Sequence, residues 1–170
     1  MKRWLSFFFG VLSFSFANVF VVVSDFPTGY PNEKKIGRYY VLDTFDDYHR
    51  ALLLAEEVKA RTKRDVYVGN FKTEEDFRKW LRLKNESYLR ACLEKALQKD
   101  YLSYPNFNQK LFKEDLKDAL RELKARERAN CEFSSLSDLV EILEDFEEFS
   151  PKVKLIAKEL RRYLDGAKKP

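Results

Sequence analysis

The chain has 170 residues and a formal net charge of +4, with 35% charged and 45% hydrophobic residues. That balance excludes an intrinsically disordered chain, and charges so evenly mixed in sign exclude the strong basic bias of a nucleic-acid binder. The length suits one ordinary domain or two small lobes, and 15 Phe and 9 Tyr supply large apolar anchors for a core.

Residues 1–17 read as a cleavable signal peptide. Lys2 and Arg3 form a positive n-region, Trp4 to Phe16 is an uncharged Phe-rich run, and Ser15 and Ala17 put small residues at the −3 and −1 places. No Cys follows the small residues, which argues against a lipoprotein. Without residues 1–17, 30 Lys+Arg face 28 Asp+Glu, a net charge of +2. The expected location is periplasmic or secreted. The alternative is an inner-membrane anchor through residues 4–24, because the uncharged stretch runs on to Ser24. Membrane contact is expected only in that uncleaved case.

Val19 to Val23 is a β-branched run and predicts a buried strand. Pro27, Gly29, Pro31 and Asn32 predict a loop. Tyr39 to Phe45 is a second strand, and Asp46 to Thr62 a helix with Ala51, Leu54, Ala55 and Val58 on one face. Val66 to Val68 is a third, short strand. Thr73 opens another helix, with Asp76 at capping-box spacing and Phe77, Trp80 and Leu81 as its stripe. From Glu86 on, every segment reads as helix. The first carries Tyr88, Leu89, Cys92, Leu93, Ala96, Leu97 and Tyr101 and breaks at Pro105 and Asn106. The next carries Phe112, Leu116, Ala119, Leu120 and Leu123. Ser135 caps a third, and Ser150 and Pro151 open the last, which Gly166 is expected to stop.

The expected fold is therefore α+β: a small three-stranded sheet with two helices over residues 18–84, then a four-helix lobe over 86–166 and a tail over 167–170. A weak internal echo runs through the strand ends. Val23-Ser24-Asp25-Phe26, Leu42-Asp43-Thr44-Phe45 and Val68-Gly69-Asn70-Phe71 each follow an apolar strand with small polar residues and a Phe.

Two of these segments carry a likeness to a known family. Residues 38–58 run strand, polar turn, aromatic, then an Ala- and Leu-rich helix, and residues 66–77 repeat the start of that pattern with Gly69 and Phe71 in its turn. Together, over residues 38–84, they resemble a SPOR (sporulation-related repeat) domain. The resemblance implies an exported module that binds peptidoglycan glycan strands stripped of their stem peptides. The sequence departs from the family at Asp43-Thr44, where Gly is usual, and lacks a strand on one side of the midpoint.

No residues stand at a known catalytic spacing. His49, the only histidine, lies near Asp43, Asp46 and Asp47, the one place for an acid–base site in a small hydrolase. Carboxylates at a helix N-terminus explain the same residues structurally, and no second His or Cys completes a metal set. No metal site and no cofactor is expected. Cys92 and Cys131 are the only cysteines, 39 residues apart; an oxidising compartment favours their pairing, and a buried free thiol is the rival. The carboxylates Glu56, Glu57, Asp138, Glu141, Glu144, Asp145, Glu147 and Glu148 read as solvated faces. The basic residues Lys152, Lys154, Lys158, Arg161, Arg162, Lys168 and Lys169 suit a helix C-terminus or an anionic partner.

The expected function is that of a non-enzymatic envelope protein binding cell-wall glycan through the α/β lobe, with Tyr39, Tyr40, Tyr67 and Phe71 as the binding face. Strand alternation sends Tyr39 and Tyr40 to opposite faces. The alternatives are a structural or protein-interaction role for the helical lobe and the small hydrolase. The expected partners are peptidoglycan glycan or an envelope protein.

Overall fold

The structure is a computed structural model that describes residues 18–125 and 127–167. Residues 1–17, expected to be a signal peptide, and most of the carboxy-terminal tail lie outside the described residues. The fold is α+β, with five helices and a four-stranded antiparallel sheet. The chain divides into two units, one ending at Trp80 and one beginning at Leu81.

In the first unit, β1 (Val19–Ser24) is the run whose side chains have most to gain from burial; Val21 and Val22 are fully buried. It sits between β3 (Tyr39–Phe45) and β4 (Tyr67–Phe71), antiparallel to both. A slip in register moves the partner of Val22 from that of Val23 by two residues, Asp43 to Val41, leaving Leu42 in a bulge and buried. Helix α1 (Tyr48–Thr62) covers one face, packing Ala51, Leu54, Ala55 and Val58 against Val22 and Leu42. Asp47 caps it by accepting from the His49 amide at 2.9 Å, and Lys63 ends it in the left-handed region at φ 62°.

The three-stranded expectation is corrected by β2 (Lys34–Ile36), which pairs with β3 at the sheet edge and makes the order β2-β3-β1-β4. Its signal is the two-residue turn Gly37-Arg38, with Gly37 at φ 61° in the first central position. Two of its three residues are lysines, so the backbone ladder holds it and no hydrophobic alternation marks it.

The second correction concerns α2 (Glu74–Gln98). The sequence divides this stretch near Glu86, where Asn85, Glu86 and Ser87 interrupt the apolar stripe, but the helix is continuous over 25 residues. All three polar residues are buried. Glu86 keeps its carboxylate inside because Arg82 Nε lies 2.8 Å from one oxygen and the Lys124 amide donates to the other at 3.0 Å. Thr73 accepts from the Asp76 amide at 3.0 Å and starts the helix.

The second unit holds the rest of α2 with α3 (Gln109–Glu122), α4 (Leu136–Glu144) and α5 (Pro151–Ala167). Asn108, Ser135 and Ser150 cap these three helices through their side-chain oxygens. Leu89, Leu93, Leu116, Leu136, Leu139, Leu143, Phe146 and Val153 form the center of its core. Gly166 does not stop α5, which continues to Ala167. Leu139→Ala is expected to lose about 2–5 kcal/mol of stability through the cavity it opens. Leu53→Ala, on the exposed side of α1, should change stability by about 0.5 kcal/mol or less. Urea titration of both variants measures the contrast.

Candidate functional site

The four aromatics expected to form a sheet-borne binding face do not gather on one open surface. Pairing register puts Tyr39, Tyr67 and Phe71 on the face opposite α1, and Tyr40 on the α1 face, where it packs against the core. Tyr39 and Phe71 lie half-buried against Trp80, and Phe71 also meets Phe77 at a centroid distance of 5.3 Å. The first turns of α2 thus close over this face, as α1 closes over the other. Tyr67 is the exception: on the edge strand β4 it is 57% exposed.

The residues around His49 do not converge either. Asp43 accepts from the Thr44 amide, Asp46 lies 3.9 Å from Arg50, and Asp47 caps α1. Among the described residues no group of three or more His, Cys, Asp or Glu could hold a metal ion, and no helix is long and apolar enough to cross a membrane.

Two of the concave sites in the second unit are built very differently. One, of about 550 Å³, is lined by Ser87, Arg90, Ala91, Glu94, Glu127, Arg128 and Ala129. It lies beside the segment 123–135, which has no helix or strand among its described residues and is held against α2. The Cys92–Cys131 disulfide ties the two at an S–S distance of 2.04 Å. Arg90 donates to the Ala125 carbonyl at 2.6 Å, Lys95 to that of Cys131 at 3.2 Å, and Lys84 meets Glu127 at 2.8 Å. Most charges in this site are therefore already spent on the strap: Arg90 also reaches Glu94, and Glu127 holds Lys84.

The other site is apolar. The chain leaves α2, turns through Asn106 at φ 60°, and folds its aromatics inward. Phe107 is the hub, 5.6 Å from Tyr101 and 5.2 Å from both Phe112 and Tyr163 between ring centroids, mostly edge-on as ring quadrupoles prefer. The Tyr163 hydroxyl donates to the Pro105 carbonyl at 2.6 Å and pins the turn to α5. Between the turn, α3 and α5 lies a pocket of about 140 Å³ whose walls include Phe107, Leu111, Phe112, Ile156 and Tyr163, with Asp115 and Glu159 among its lining residues. Leu111, in the first turn of α3, is 52% exposed, and Leu102, in the turn between α2 and α3, 77%. The sequence pattern places Tyr101 and Phe112 on helix stripes and does not single out Tyr104, Phe107 or Tyr163; the signal that could have marked the site is aromatic density, four in Tyr101 to Phe112.

The acidic and basic faces serve the fold. Glu144 takes Arg161 in a two-point contact of 3.2 and 2.7 Å, which holds the guanidinium above its usual pKa, and Lys152 lies 3.9 Å from Asp118. Ser134 donates twice to Asp138, holding that carboxyl below its usual range.

No family model matches the chain, and no curated protein or solved structure does.

Two predictions follow from this geometry. Cys92→Ala with Cys131→Ala should lower stability by about 3–4 kcal/mol, since the bridge closes a long loop in the unfolded chain; denaturant titration with and without reductant reads this. Burial, with a smaller contribution from Tyr104, pushes the Tyr101 phenol up to about 12 from 10.0. The unfolded phenol therefore ionises first. Stability should fall as pH rises from 10 to 12, by at most about 2–3 kcal/mol, and Tyr101→Phe should remove that share. Because the Tyr101 hydroxyl is buried without a hydrogen-bond partner, the same variant should be as stable as the parent or up to about 1 kcal/mol more stable at pH 7.

Proposed function

We propose that this is an exported, non-enzymatic envelope protein that works by binding a protein partner, with the helical unit supplying the surface. The observation that carries this reading is the aromatic pocket between α3 and α5, with Leu111 exposed on its wall. Exposed apolar groups clustered around a concavity are what a docking surface requires, since their burial drives association. The disulfide supports export, because such bridges persist in oxidising compartments. The leader-like residues 1–17 support it from the sequence.

A second reading, favoured by the exposed Tyr67, is cell-wall glycan binding by the first unit, as the SPOR resemblance implies. An aromatic ring on an edge strand can stack on a sugar. It stands second because Tyr39, Tyr40 and Phe71 are packed against neighbours, leaving no open aromatic face around Tyr67.

The two readings separate by photocrosslinking in the envelope of a Gram-negative host expressing the full chain. A benzophenone side chain placed at Leu111 should yield discrete protein adducts, and one at Leu53, equally exposed on α1, should not. Equal labelling from both positions, or none from 111, overturns the helical-unit reading. Sedimentation with peptidoglycan sacculi that is abolished by Tyr67→Ala and unaffected by Leu111→Glu establishes the glycan reading in its place.

A further inference from the structure

We infer that the pocket between α3 and α5 receives a long cationic side chain, lysine or arginine, from a polypeptide partner. This rests on the reading of the helical unit as a docking surface and names what enters it. The size comes first. At about 140 Å³ the pocket is well below the 300 Å³ or more that whole small-molecule ligands occupy, and suits a single side chain. The lining comes second. Phe107, Leu111, Ile156 and Tyr163 offer an apolar and aromatic wall, which a methylene stem can cover while its charged head stays at the mouth.

Charge decides between an apolar and a cationic occupant. Asp115, half-buried on α3, and the exposed Glu159, on α5, both line the pocket. Neither forms an ion pair or a side-chain hydrogen bond among the described residues, whereas Asp118 and Glu122, further along α3, each hold a partner. Two unpaired carboxylates beside one apolar cavity penalise a purely apolar guest, whose arrival would desolvate Asp115 with nothing in return. They favour a guest that brings an apolar stem and a terminal cation. The phenyl and phenol faces of Phe107 and Tyr163 add to the same preference, since aromatic faces attract cations.

The test uses the full chain labelled with nitrogen-15 and three probes: N-acetyl-lysine methylamide, N-acetyl-arginine methylamide and N-acetyl-norleucine methylamide. Norleucine keeps the stem of lysine and lacks its charge. Saturable amide shifts confined to residues 106–115 and 156–163 are expected with the lysine or arginine probe, with norleucine binding about fivefold more weakly or less. Fivefold corresponds to about 1 kcal/mol. Asp115→Asn with Glu159→Gln should remove that preference and leave norleucine binding as it was. Both positions lie outside the core, so an unchanged spectrum elsewhere verifies the fold. Equal binding of norleucine and lysine, no shifts with any probe, or a charge preference that survives the double variant each overturns the inference. Crosslinking from Leu111 without any cation preference would overturn this inference and leave the docking surface standing; a cation preference without crosslinks would do the reverse.

Discussion

The second unit depends on how α2 holds a segment with no helix or strand among its described residues. A stretch such as 123–135 has backbone groups that neither helix nor ladder satisfies, so they need side-chain or solvent partners. Helix α2 presents Glu86, Arg90 and Lys95 in successive turns, and they take the Lys124 amide, the Ala125 carbonyl and the Cys131 carbonyl in order. Cys92, between Arg90 and Lys95, adds the covalent tie to Cys131. Lys95 and Lys99 also lie over the Phe133 ring, at 5.4 and 5.1 Å. One helix face thus fixes the path of the chain between α3 and α4. The side chains of Cys131 and Phe133 can then enter the core with Leu136 and Leu139.

The buried Glu86 shows why such a strap is held by a charge. A carboxylate removed from water is expensive unless each oxygen finds a donor. Here one oxygen takes a guanidinium and the other a backbone amide that would itself lack a helical partner at the end of α3. Two groups with unmet needs satisfy each other, and the helix needs no break where polar residues cross its apolar stripe.

The first unit spends its aromatics differently. Its sheet is narrow and twisted, with apolar side chains on both faces of β1, so both faces must be covered. Helix α1 takes one, and Phe77 with Trp80 takes part of the other. Tyr39 and Phe71 are consumed in that packing. In the second unit the aromatics of the 101–108 turn are more than the core can enclose. They build a cavity whose walls remain partly open, with Leu111 exposed on one of them. A surface of that kind lies on a turn and two helix faces, which a rigid capped scaffold can hold in place.

Much of the molecule could be read directly from the residues. Local physics decides β-branched runs, capping hydroxyls and the 3.6-residue stripe, so β1, β3, the starts of α2, α4 and α5, and the α+β class were all readable before any contact was known. The pairing of Cys92 with Cys131 is the favoured expectation for two cysteines in a chain read as exported, with a buried free thiol as its rival, and the structure joins them. Tertiary structure decided the rest. A three-residue strand of mostly lysine exists only because β3 offers it a ladder. The burial of Glu86 within a continuous α2 rests on the Lys124 amide, 38 residues away in the chain, together with Arg82 one turn back. The same holds for the aromatics: periodicity tells which side chains share a face, but whether that face is closed over, as around Tyr39, or left as an open pocket, as around Phe107, depends on which distant segment arrives to cover it.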